Sequence, residues 1–118
     1  MLAERFVRGI NRIPMSAHRR RVISSPRAEL DHEDIVVSGE QRWGEEQAVA
    51  YSYLIDAAVV RLGSFPEIGN PRDDVFPGCR SVPVGQHIVY YRIMGETVRI
   101  VRILHRRMNP HAHVTGNE

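Results

Sequence analysis

The chain has 118 residues, 42% of them hydrophobic and 25% charged, with a formal net charge of +2. That length suits one domain with a modest core, and that balance excludes wholesale disorder. Cys79 is the single cysteine, so no internal disulfide can form, and no apolar run approaches the roughly 18 residues of a membrane span.

The charge is unevenly placed. Residues 1–21 hold six arginines and one acid, residues 22–78 four arginines and eleven acids, and residues 79–118 six arginines and two acids. An acidic lobe and a basic lobe follow, the latter suited to an acidic partner or to nucleic acid. All 16 basic residues are arginine, which excludes any mechanism that needs a lysine ammonium.

In chain order, "MLAERFVRGINRIPM" lacks the continuous apolar stretch of a signal peptide. With one cysteine and no span, a cytoplasmic setting is expected. Residues 1–18 read as an extension outside the domain, disordered or produced by a non-native start. "RRRVISS" (19–25) reads as a first strand. A helix follows to Trp43, with Ser25 as its cap, Pro26 in its first turn, and Ala28, His32, Ile35, Gly39 and Trp43 at inward spacing. Gly44 breaks it. Residues 45–62 form a stronger helix with Ala48, Tyr51, Ile55, Ala58 and Leu62 inward. Val49, Tyr53 and Val60 make a second apolar stripe, which points to a covering partner.

Residues 63–78 hold three prolines and three glycines and read as a loop. Strands at 79–84, 86–94 and 97–105 follow, with Gly95-Glu96 as a hairpin turn. Pairing Met94 with Thr97 carries the ladder back to His87 opposite Leu104. One face then carries Val89, Tyr91, Ile93, Val98, Ile100, Arg102 and Leu104. The other carries Ile88, Tyr90, Arg92, Met94, Thr97, Arg99, Val101, Ile103 and His105. Arg92 opposite Arg99 repels, so that end of the second face should be solvated or receive an anion. Two helices on one face of a small, twisted, mostly antiparallel sheet, in the order β-α-α-β-β-β, is an α+β fold. Residues 19–110 form this domain, and 111–118 a C-terminal tail.

His105 with Arg102, Arg106 and Arg107 is the strongest chemical cluster. It suits phosphodiester cleavage, docking onto a polyanion, or simply a solvated strand end. His111 and His113 beside His105, without cysteine or carboxylate, are weak grounds for a metal. No cofactor, metal, membrane or small-molecule ligand is expected. Cys79 and His32 read as structural residues, and the four tyrosines as core or interface.

Three stretches, "SPRAELDHEDI", "RWGEEQAVAYSYLIDAAVVRLGSFPEIGNPRDDVFPGCRSVPVGQHIVYYRI" and "VRIVRILHRRMNP", together resemble the ParE-like toxins of the RelE/ParE superfamily, the toxin halves of bacterial type II toxin–antitoxin modules. The resemblance runs from about Arg19 to Pro110. It rests on an ordered series: Trp43-Gly44, Gln47-Ala48, Pro66, Gly69, Pro77-Gly78, Arg80-Ser81, Val84, His87, Tyr91-Arg92, and Arg102 to Met108. It implies a helical hairpin on a twisted sheet. It also implies a small antitoxin similar to ParD that wraps the toxin, with Val49, Tyr53 and Val60 in the covered surface. The target is DNA gyrase for ParE-like members and ribosome-bound mRNA for RelE-like ones, and DNA is reached only through the antitoxin. Two departures stand out: His32 and Gly39 make the first helix unusually polar, and residues 1–14 have no counterpart, so Met15 is the expected native start. The missing lysines and late tyrosine favour a toxin that is not an enzyme. Arg80, Arg92, Arg102, His105 and Arg107 then become a basic surface for antitoxin or target.

Overall fold

The computed structural model describes residues 19–118. The expectations for residues 1–18, and for Met15 as a start, lie outside them. The elements run β1 (Arg21–Ser24), α1 (Pro26–Trp43), α2 (Glu45–Ser64), β2 (Asn70–Pro71), β3 (Arg80–Val84), β4 (His87–Met94), β5 (Thr97–His105) and α3 (Pro110–His113). They form one five-stranded sheet in the order β1-β5-β4-β3-β2, antiparallel except where β1 lies parallel to β5. The α+β architecture and the expected order hold, with a two-residue β2 inside the loop and a short α3 added. No helix among the described residues is long and apolar enough to cross a membrane.

Local chemistry sets the helix ends. The Ser25 hydroxyl accepts the Ala28 N–H and donates to the Val101 carbonyl, so one buried side chain caps α1 and ties it to β5. Gly44, at φ 91°, turns the chain from α1 into α2. The hairpin packs tightly because Gly39 is buried against Ala48: a Cβ on Gly39 would sit 3.2 Å from that methyl group. Its low helix propensity is therefore offset by close approach.

The inward stripe of α2 is as expected, with Ala48, Ile55 and Leu62 buried and Tyr51 and Ala58 partly so. All but Ala48 meet Val89, Tyr91, Val98, Ile100 and Ile103 in the main core. On α1, Trp43 departs from its expected place and is 52% exposed. His32 bridges the helices, its Nε2 3.0 Å from Asp56 Oδ1.

The expected β4–β5 faces hold only up to a bulge. Arg92 opposes Arg99 and Tyr91 opposes Ile100, but Tyr90 opposes Arg102 and His87 opposes His105. The extra residue shifts the register by one, and a one-residue shift exchanges faces. Ile103 and His105 therefore join the helix-covered face, while Arg102 and Leu104 pass to the other. That second face is also covered: Tyr90, Val101 and Leu104 pack against Phe76, Cys79 and Val114. Residues 111–118 are thus part of the packed structure. Their main-chain oxygens accept from three arginines: His113 from Arg102, Gly116 from Arg92, and Glu118 from Arg99. The arginine pair expected to be solvated or to receive an anion is met by main-chain oxygens of the C-terminal segment.

Candidate functional site

Two surfaces stand out. The first is the outer side of α2, where Val49, Tyr53 and Val60 are 43%, 69% and 50% exposed. Their spacing puts them on one side of the helix, opposite the buried Ile55 and Leu62. Leu54, 52% exposed, lies on a flank of the helix between this stripe and the core.

The second is a groove of about 780 Å³ between α1 and the end of β5. Its α1 bank repeats at helical spacing through Arg27, Asp34, Ile35 and Arg42 to Trp43. Its other bank includes Ile103, His105, Arg107 and Met108. The guanidiniums of Arg27, Arg42 and Arg107 make no hydrogen bond or ion pair among the described residues.

The five basic residues expected to act together are divided by the fold. Arg102, His105 and Arg107 line the groove; Arg80 and Arg92 do not. Arg80 donates through Nη1 to the Glu67 and Gly69 carbonyls and holds the loop before β3. Arg92 donates to the Gly116 carbonyl and lies over the Phe76 ring. Arg102 is 5% exposed. Its Nε and Nη2 donate to Asp31 at 2.8 and 2.9 Å, and its Nη1 to the His113 carbonyl at 2.7 Å. Asp31 also accepts the Ile103 N–H at 2.9 Å, covering the β5 edge beyond β1. Arg102 is therefore a staple between α1, β5 and the C-terminal segment, with its donors turned inward.

His105 has a neighbour that sequence spacing does not reveal. The bulge sets His87 opposite it, ring centroids 5.4 Å apart. The Tyr51 hydroxyl accepts the Gln86 N–H and donates to the Val84 carbonyl. It also lies 2.6 Å from His87 Nδ1, a contact that ties the ring to α2. Burial, and then repulsion from His105, lower the His87 pKa, so the ring favours its neutral form. His105 Nδ1 accepts the Arg107 N–H at 3.2 Å, so its neutral ring carries the proton on Nε2. The pair thus sets two imidazoles side by side at the groove. Tyr51 sits on the inward stripe and reads as core from the sequence; the alternation of polar and apolar residues around His87 carries no signal for this role.

Other candidates have local partners. His111 contacts Asp74 and Asn109, apart from the His87–His105 pair. Burial pushes the Cys79 thiol up to about 12, so it remains a protonated core residue near neutral pH.

A helical hairpin over a five-stranded sheet, with an uncovered apolar helix and a basic strand end, defines the class of small α+β toxins that the sequence resembles. Residues 22–110 match the family described as "ParE toxin of type II toxin-antitoxin system, parDE". The chain is 40% identical over 90 residues to Toxin ParE1 of Caulobacter vibrioides, covering 76% of this chain and 93% of that protein. It is 38% identical over 90 residues to Toxin ParE1 of Mycobacterium tuberculosis, covering 75% and 92%. The chain belongs to the ParE toxin family. Two solved structures share its fold. One, titled "Chromosomal ParDE TA system from P. aeruginosa", has a TM-score of 0.67 at 22% identity, covering 75% of this chain and 97% of that one. The other, a toxin–antitoxin complex RelBE2 from M. tuberculosis, has a TM-score of 0.54 at 23% identity, covering 75% and 99%.

Proposed function

We propose that this toxin is held inactive by a ParD-like antitoxin seated on the outer side of α2 and that, once released, it poisons DNA gyrase without breaking a bond of its own. The observation that carries the antitoxin reading is the uncovered stripe Val49, Tyr53 and Val60. An exposed apolar helix face flanked by charge is the form of a partner surface. Membership of the ParE family supports the gyrase reading. So does the inward use of Arg102, which takes that guanidinium away from the reach of a scissile phosphate. Purified toxin should inhibit gyrase supercoiling and accumulate cleaved DNA, and an antitoxin encoded beside it should reverse both. Full supercoiling with no trapped cleavage product would remove the gyrase target.

A second reading, cleavage of ribosome-bound mRNA, is favoured by one observation: the His87 and His105 rings lie side by side, 5.4 Å between centroids, at the groove. A neutral imidazole can take the 2′-hydroxyl proton, and a second, protonated imidazole can give one to the leaving 5′-oxygen. Primer extension on translated message should then reveal new 5′ ends that disappear with His87→Ala or His105→Ala. A clean message eliminates this reading.

A further inference from the structure

We propose that the groove between α1 and the end of β5 binds a short single-stranded nucleic acid, with Trp43 as the stacking platform and Arg27, Arg42 and Arg107 on its phosphates. The proposal stands apart from the antitoxin face, which lies on α2.

Charge comes first. Asp31 is committed to Arg102 and to the Ile103 N–H, so it does not compete for the other cations. That leaves Asp34 against three arginines whose guanidiniums have no partner among the described residues. The groove is thus net positive before either imidazole is counted.

Shape comes next. Arg27 and Arg42 are 15 residues apart on one helix, or about 22 Å at 1.5 Å per residue. That span suits a run of about four nucleotides, the short end for single-strand-binding grooves. Bases need an apolar flat surface, and Trp43, 52% exposed at one end of the groove, supplies it. Tyr51 packs edge-on against that ring, 6.3 Å between centroids, and fixes its orientation. A basic track with a held, exposed aromatic is the arrangement single strands recognise, because every base has a stacking face. Arginine suits it better than lysine would, pairing bidentately with phosphate and stacking on bases.

Trp43 is the only tryptophan in the chain, so its emission reports on this site alone. The full chain is titrated with dT12, with rU12 and with a twelve-residue polyglutamate peptide. Saturable quenching by either oligonucleotide is the expected result, and the ratio of the two affinities tells a DNA strand from an RNA one. Affinity should fall with salt at a log–log slope near −2, shrinking by about 0.7 with each of Arg42→Ala and Arg107→Ala. With fluorescein-labelled dT12, Trp43→Leu should weaken binding about tenfold or more while Trp43→Phe retains most of it. Circular dichroism checks that the variants, all at exposed positions, remain folded. Absent binding, or binding without quenching, overturns the proposal. So does indifference to the arginine variants. Equal quenching by the polyglutamate peptide also overturns it and assigns the groove to an acidic peptide.

Discussion

At the scale of single residues, Arg102 and His87 exchange the roles their sequence positions suggest. Arg102 stands in a dense basic run at the end of β5, yet its side chain is 6% exposed and that of Asp31 11%. Removing one partner of such a pair leaves an uncompensated charge, so Asp31→Ala should lower stability by about 3–5 kcal/mol. Urea unfolding measures it. Asp31→Ala with Arg102→Met should recover part of the loss, because no buried charge remains, and a double variant as weak as the single would refute the pairing argument. His87 carries a pH signature. Its folded pKa lies below the ordinary 6.5, so the unfolded chain takes up a proton first as the pH falls. The stability owed to the neutral ring is therefore complete above about 6.5 and declines below it. Asp74, held down to about 2 by Arg72, acts lower: its contribution fades only as the pH falls below its ordinary 3.8. Melting temperatures from pH 7.5 to 5 should drop more steeply for the parent than for His87→Gln. Parallel curves would show that another group governs this window.

At the scale of elements, the sequence is readable wherever one local rule decides. Ser25 with Pro26, the positive φ of Gly44 and the Gly95-Glu96 turn place the helix starts and the hairpin, and the structure agrees to within a few residues. Period-two alternation works for β4 and for the first half of β5. It fails after Ile100 because a bulge depends on what packs around the strand, and nothing in "VRIVRILH" announces one. That failure also hid the His87–His105 pair. Gly39 shows a helix-propensity rule yielding to packing. It costs the helix locally, yet it lets α1 and α2 approach closely at Ala48. Gly39→Leu should therefore destabilise by about 1–3 kcal/mol despite its better propensity, by wedging the hairpin apart. A thermal melt decides it, and a higher midpoint would mean that the crossing has slack.

At the scale of the whole molecule, charge and apolar surface are arranged for a partner of mixed charge. The exposed stripe on α2 starts beside Glu45 and Glu46 and ends near Arg61, with Arg19 and Arg21 beside Val60 around an open pocket. On the proposed reading, an antitoxin segment crossing this face is apolar in its middle and oppositely charged at its two ends. That follows from the acidic and basic division already visible in the sequence. Tyr53 is the natural anchor. It is large and aromatic, 69% exposed, and flanked by apolar neighbours that can exclude water once covered. A central anchor of this type contributes about 2 kcal/mol or more, so Tyr53→Ala should weaken antitoxin binding at least about thirtyfold. Because the side chain makes little use of the toxin's own core, the same change should alter unfolding by no more than about 0.5 kcal/mol. Val60→Asp should weaken binding by setting a charge into the apolar stripe, again with intact folding. Titration calorimetry with purified antitoxin, alongside urea melts, separates the two effects. Loss of stability in step with loss of binding would make Tyr53 a structural residue, and unchanged affinity would move the antitoxin off α2.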